Sequence, residues 1–238
     1  MRIFLAGAGG AIGRRLTPLL RAAGHEVTGT TRSADKADAL RALGAEPVVV
    51  DVFDAAALAR AVAAAAPDVV IHQLTDLAFA PGSPQYQEGL ARNARLRIEG
   101  TRNLVAAAKA AGVGRMIAQS IAFIYAAGEG ARVESDPLAP AEGAMAETIT
   151  GVAALEQAVL ALPEGIVLRF GFFYGPGTWS VETPHPPAVH VDAAAQATLL
   201  ALAKGKPGIY NIAEDDPGLS SDKARRALGF DPAFRVSR

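Results

Sequence analysis

The 238-residue chain contains no cysteine. This absence excludes disulfides, thiolate nucleophiles and cysteine-bound metals together, and it suits a reducing compartment. Aromatic residues make up only 6% of the chain, with a single tryptophan. Charge of either sign is not in excess: 23 Lys and Arg face 24 Asp and Glu, and no basic stripe marks a nucleic-acid partner. Long apolar runs are missing too. The alanine-rich stretch Ala55–Ala66 is interrupted by Arg60 and stopped by Pro67-Asp68, too short to span a bilayer. The opening MRIFLAGAGGAIG has no basic lead or cleavage site and reads as a strand entering a glycine turn rather than a signal peptide. These absences leave a cytoplasmic protein with no membrane partner as the expectation.

What is present is alternation. Half of the residues are apolar, and short β-type runs take turns with alanine- and leucine-rich helical segments, the pattern of a parallel sheet covered by helices. Strands are expected at Arg2–Ala6, Glu26–Thr31, Pro47–Val50, Val69–Gln73, Arg115–Gln119, Gly165–Arg169 and Gly208–Ile212. Ile12, Leu16, Leu19, Leu20 and Ala23 recur at helical spacing up to Gly24, with Pro18 predicting a kink. Asp54 is placed to cap a helix over Ala55–Ala66. A long helix is predicted from Glu88 to Ala111 and another from Gly143 to Leu162, while Ala126–Ala141, rich in Gly, Pro and acid, reads as a surface loop near the site mouth. The fold class is therefore α/β, a Rossmann-type doubly wound parallel sheet of about seven strands.

Gly7-Ala8-Gly9-Gly10-Ala11-Ile12-Gly13 follows the first strand and opens the first helix. Glycines there permit a tight turn, let backbone approach a pyrophosphate, and leave N–H groups at a helix N-terminus facing negative charge. The spacing of Gly7, Gly10 and Gly13 is G-x-x-G-x-x-G. The end of the second strand usually selects the cofactor: an acid binds the adenosine ribose hydroxyls, and an arginine accommodates a 2′-phosphate. Thr30-Thr31-Arg32-Ser33 offers Arg32 and no acid before Asp35, which favours NADP(H) over NAD(H). The alternative for Arg32 is an ordinary solvated arginine. Asp51-Val52, after the third strand, falls where adenine would lie, and Asp51 alternatively serves only the turn.

The segments LAGAGGAIG, VVIHQLT, EGTRNLVAAAKAAGV, LRFGFFYGPGTW, VHVDAAAQA, GIYNIAEDDP and DKARRALGFDP run across almost the whole chain. Together they resemble the extended short-chain dehydrogenases/reductases, the NAD(P)-dependent epimerases and dehydratases. The resemblance implies cofactor contacts from Gly7, Gly10, Ala11, Ile12, Arg32, Asp51, Val52, Gln73, Leu74 and Thr75, with Tyr174-Gly175-Pro176-Gly177 beside the nicotinamide. It also implies a Rossmann core over residues 1–175, a reduced substrate lobe over 176–238 packed on it as one structural unit, and a homodimer through the helices near 88–111 and 143–162.

The chain departs from that family at its chemistry. The family's Tyr-x-x-x-Lys pair, in which the lysine lowers the tyrosine pKa, is missing: counting back from Glu156, the two positions hold Thr148 and Val152. The family's serine position holds Ile121, with Ser120 one residue early, and such a step reverses a side chain on a strand. Ser120, Tyr125 and Tyr174 remain as candidates for direct chemistry, each with a packing role as the alternative. His72 reads as a hydrogen-bonded core histidine and Asp192 as a helix cap. His185, His190 and Asp192 show no metal-ligand spacing, so no metal is expected. Only thirteen residues separate Gly177 from Val191, and a lobe this short suits a small-molecule substrate rather than a nucleotide sugar. The leading reading is an atypical NADP(H)-dependent oxidoreductase acting on a small carbonyl or alcohol. The alternatives are a cofactor-binding sensor without turnover and a cofactor-independent cyclase or isomerase.

Overall fold

The central strands are apolar on both sides because helices cover both sides of the sheet. In the computed structural model, which describes residues 1–77 and 82–236, β1 (Arg2–Ala6) runs into α1 (Gly13–Ala22), and β2 (Glu26–Thr31) is followed by α2 (Ala37–Ala42). Next come β3 (Glu46–Val49), α3 (Ala55–Ala65) and β4 (Val69–His72). The predicted long helix is a rod in three parts: α4 (Tyr86–Arg95), a π-helical turn over Leu96–Gly100, and α5 (Thr101–Ala110). Then follow β5 (Arg115–Ile121), α6 (Ala146–Leu160) and β6 (Glu164–Phe170). After these lie β7 (Phe172–Tyr174), β8 (Ala188–His190), α7 (Val191–Lys204), β9 (Gly208–Ile212) and α8 (Asp222–Leu228).

Seven strands pair in the order β3-β2-β1-β4-β5-β6-β9, all parallel. Alternation along each strand divides the core. Ile3, Leu5, Ile71 and Ile117 pack with Leu16 and Leu20 of α1 and with the alanines of α7. Phe4, Ala6, Val70 and Met116 pack with Leu58 and Val62 of α3, Leu104 of α5 and Leu155 of α6. The alanines of α7 let it lie close against the sheet and α1. The connection reverses direction between β1 and β4, and in open parallel sheets that switch opens a crevice at the carboxyl ends of the strands.

Local chemistry accounts for the element ends. Asp54 caps α3 by accepting from the Ala57 N–H at 2.9 Å. Helix α1 continues through Pro18, which lies on its exposed face; the carbonyl deprived of its donor there faces solvent rather than core. Beyond Gly171 the weak sequence pattern resolves into a short two-stranded sheet, β7 with β8, which pairs Phe172 with Ala188 and Tyr174 with His190. The predicted loop Ala126–Ala141 is tied down at both ends. Ala126 N–H donates to the Pro137 carbonyl at 2.9 Å, and the Arg132 backbone bonds to Gly218 and Ser220. Among the described residues no helix is long and apolar enough to cross a membrane.

Candidate active site

The glycine turn closes on itself: Gly10 N–H donates to the Gly7 carbonyl at 3.0 Å, and Gly7 N–H donates to Thr30 Oγ1 at 3.2 Å. Gly7 has φ +94°, and a Cβ there would sit 2.7 Å from the Gln73 backbone. A Cβ on Gly13 would come within 2.3 Å of the Gly7 carbonyl oxygen. Strand β4 therefore ends hard against the turn, and both glycines are steric requirements. Ala8 and Ile12 send their side chains into the core, and Ala11 is half-buried, so what this turn offers a ligand is backbone.

The other residues expected around a dinucleotide lie along the same ends of the strands. Arg32, after β2, is exposed and makes no hydrogen bond or ion pair among the described residues. Asp51 accepts from the Phe53 N–H at 2.9 Å, a turn contact that leaves a second carboxylate oxygen. Val52 is buried, and its carbonyl accepts from Asn103 Nδ2 at 3.0 Å. Gln73 is 4% exposed, yet both polar atoms of its amide are buried with no hydrogen-bond partner among the described residues. Buried amides ordinarily find partners. An unpartnered one beside a glycine cradle fits a site whose ligand completes its bonding. Leu74 and Thr75 continue the rim, half-buried and exposed.

His72 anchors this rim from beneath. Its Nδ1 accepts from the Leu74 N–H at 3.2 Å, which places the proton on Nε2, 3.0 Å from Thr101 Oγ1. Burial, and then the nearby Arg97 charge, lower its pKa to about 4. It is a neutral core histidine.

The three candidates for direct chemistry do not converge. Ser120 is fully buried and donates to Glu156 Oε1 at 2.7 Å. The same carboxylate takes two bonds from Arg169, Nε to Oε1 at 2.8 Å and Nη2 to Oε2 at 2.6 Å. Arg169 and Glu156 are both almost wholly buried, so removing either partner would leave an uncompensated charge and cost about 3–5 kcal/mol. Tyr125 lies with its ring 4.8 Å from the Arg169 guanidinium and donates to Asn211 Oδ1 at 2.6 Å. Tyr174, at the end of β7, donates to Glu214 while accepting from Arg235 Nη2 at 2.9 Å. Burial raises the pKa of both phenols, and the Glu214 carboxylate adds to the rise at Tyr174. Each phenol is held protonated at neutral pH, with its hydroxyl already donating to the protein. Thr148 and Val152 are buried within α6.

His190 Nδ1 accepts from the Asp192 N–H at 3.1 Å, and Asp192 takes an ion pair from Arg15 at 2.6 Å, joining α7 to α1. Among the described residues no three His, Asp or Glu side chains gather in a group able to hold a metal ion. At the mouth, Phe123 and Phe172 stack at 3.9 Å with the His185 ring edge-on at 4.5 Å, a flat apolar wall beside the ends of β5 and β6. Sequence reasoning passed over Arg97, 4% exposed on the π turn, and Arg169. Arg169 has a signal in the sequence, a single charge inside the apolar run GIVLRFGF; Arg97, among the charges of ARNARLRIEG, has none.

Comparison with known proteins agrees with this geometry. Residues 7–155 match the family described as NAD(P)H-binding. A 3-diazoavenalumate denitrifying reductase from a Streptomyces species is 42% identical over 261 residues, covering 98% of this chain and 83% of the relative. Among solved structures, Thermus thermophilus UDP-glucose 4-epimerase, in complex with NAD, superposes with a TM-score of 0.78 at 22% identity, covering 99% of this chain and 95% of that one. The dTDP-glucose 4,6-dehydratase of Streptomyces venezuelae, with NAD bound, gives 0.76 at 21% identity, covering 100% and 93%. The chain therefore belongs to the NAD(P)H-binding family and carries the fold of the extended short-chain dehydrogenases/reductases.

Proposed function

We propose that the chain is an NADPH-dependent reductase of a small, non-nucleotide electrophile that needs no proton from a tyrosine–lysine pair. What supports the reading is a buried Gln73 amide with no hydrogen-bond partner among the described residues, packed against the glycine turn, together with Thr148 and Val152 at the positions that the resemblance gives to the acid–base pair. Gly7, Gly10 and Gly13 would take the pyrophosphate on backbone, Arg32 the 2′-phosphate, Asp51 and Val52 the adenine edge, and Gln73 to Thr75 the middle of the cofactor. Bound there, the cofactor supplies hydride. The protein's part is to position the reactants and exclude water.

The substrate's own charge decides whether a proton is needed. A carbonyl that accepts hydride requires a proton on its oxygen. A diazonium carbon that accepts hydride loses N₂ as its C–N bond breaks, ends as C–H, and consumes no proton. The name of the 42% identical relative describes reduction of a diazo compound with loss of nitrogen, so electrophiles of the diazo class suit this site better than the small carbonyl or alcohol first expected. The Phe123–Phe172 wall provides a flat apolar surface for such a substrate. We infer a homodimer as well, through the outer faces of α4–α5 and α6.

The test is NADPH deuterated at its transferable position, incubated with a small aryl diazonium salt and separately with a small aldehyde. Deuterium in the arene, read by mass spectrometry, is the expected result. Label in the alcohol alone would return the reading to carbonyl reduction, and NADPH binding without label transfer would make the chain a non-catalytic binder. In parallel, Arg32→Ala is expected to weaken NADPH binding about tenfold or more, the scale of one charge-assisted contact, and to leave NADH binding unchanged. Equal losses for the two cofactors would remove Arg32 from the account.

A further inference from the structure

One face of the sheet is apolar almost to its carboxyl edge and then turns polar. Leu5 of β1, Ile71 of β4, Ile117 of β5 and Leu168 of β6 all pack on the side of α1 and α7. Side chains alternate along a strand, so Gln73, two residues after Ile71, and Gln119, two residues after Ile117, continue that face. The register pairs His72 with Ala118, which sets the two glutamines side by side on neighbouring strands, about 4.8 Å apart in the direction of pairing. On its other flank Gln119 stands opposite the buried Leu168. Gln73 is 4% exposed and Gln119 9%. Neither side chain makes a hydrogen bond among the described residues, although both amide atoms of Gln73 are buried. Two neighbouring amides without partners at the edge of an apolar face are unfavourable unless a ligand completes their bonding.

Strand order decides which part of a dinucleotide reaches them. The strands run β3-β2-β1-β4-β5 across this part of the sheet. The glycine turn follows β1, and a Cβ on Gly7 would sit 2.7 Å from the Gln73 backbone. A dinucleotide lies across such a crevice with its pyrophosphate on the turn. Arg32 follows β2 and Asp51 follows β3; with these on the 2′-phosphate and the adenine edge, the adenosine half lies to that side. The other half extends the opposite way, over the ends of β4 and β5, where Gln73 and Gln119 stand. It ends in a nicotinamide, whose primary carboxamide carries one carbonyl acceptor and an NH₂ donor. Glutamine side chains carry the same two groups and no charge. They therefore match a carboxamide and repel neither a cationic ring nor a cationic substrate.

We propose that Gln73 and Gln119 form an amide pair that recognises the carboxamide of the nicotinamide, so that the protein selects its cofactor at the reactive end as well as at the phosphates. The inference rests on the reading of the chain as an NADPH-dependent reductase. Recognition of this kind is indifferent to redox state, because the carboxamide is common to NADPH and NADP⁺ and the pair is neutral. Holding the carboxamide also fixes which face of the ring is turned to the substrate.

Calorimetric titration of the purified protein with NADPH, and with the reduced acetylpyridine analogue of the same dinucleotide phosphate, tests it. The analogue keeps the carbonyl but has a methyl in place of the NH₂, so one donor is lost and the amide facing it is left unpaired. Wild type is expected to bind NADPH about tenfold or more tightly than the analogue. Gln73→Leu and Gln119→Leu extend the apolar face with side chains of similar size. Each is expected to remove that preference, and to weaken NADPH and NADP⁺ binding by the same factor. A preference that survives in either variant would overturn the pair. The wild-type measurement stands if the variants do not fold, since equal affinity for NADPH and the analogue overturns the proposal by itself. Binding of neither dinucleotide would instead overturn the reductase reading, and this inference with it.

Discussion

His72 and Arg32 mark the two extremes of what single residues reveal. Arg32 follows a strand, lacks an acidic neighbour until Asp35, and stands exposed after β2, so its candidacy needs only the sequence. His72 was readable as a core residue, but its tautomer depends on Leu74 and Thr101, and its low pKa on burial and on Arg97 from another element. The consequence is a pH dependence of stability. The imidazole is neutral in the fold down to about pH 4, whereas in the unfolded chain it takes up a proton near pH 6.5. Between those values the unfolded state binds more protons, so stability falls as the pH falls through the window, by about 3 kcal/mol in all. Urea unfolding at pH 7.5 and pH 4.5 is expected to show a smaller loss in His72→Gln than in wild type. Identical losses would mean that other groups carry the acid sensitivity. Arg97, set among other charges, was not legible as a buried residue, whereas Arg169 and Glu156 each interrupt an apolar run; that these two pair was hidden because each lies on a different element.

Among the elements, the glycine turn was legible down to its geometry. A strand, three spaced glycines and an amphipathic helix specify which backbone atoms must approach each other. Gly13 and Gly9 should then behave differently. A methyl on Gly13 meets the Gly7 and Ala8 carbonyls, backbone atoms that cannot step aside, whereas one on Gly9 meets nothing within 4 Å. Gly13→Ala is expected to cost about 2 kcal/mol or more and to impair NADPH binding, with Gly9→Ala within about 1 kcal/mol of wild type. Thermal unfolding of the two variants side by side checks this, and equal effects would contradict the packing described. The central strands were legible because burial on both faces makes them nearly continuous apolar runs. Two features stayed hidden for physical reasons. Strands β7 and β8 have three residues each, too few to show a period. The π turn adds one residue to a helix whose apolar spacing from 88 to 111 still reads as helical.

At the scale of the whole molecule, alternation of strand and helix foretold a parallel sheet with Gly208–Ile212 among its strands, but not the order in which the strands pair, nor the helix α7 laid against α1. Polar links reinforce this: Arg15 reaches Asp192, and Asp192 accepts from the Val236 N–H at 3.2 Å. The outer faces of α4–α5 and α6 leave a groove lined by Ala91, Ile98, Arg102, Ala146 and Thr150, with Ile98 41% exposed. Light scattering is expected to give about twice the 24.5 kDa chain mass, and Ile98→Glu to return the monomer with NADPH binding kept. A monomeric wild type would rule out that interface. The strand order β3-β2-β1-β4-β5-β6-β9 has a consequence for biosynthesis. Each strand, in the sequence in which a ribosome releases it, docks on an edge already laid down, first outward to β3 and then outward the other way to β9. No strand must be threaded between two finished neighbours, so translation and sheet growth can proceed in the same order.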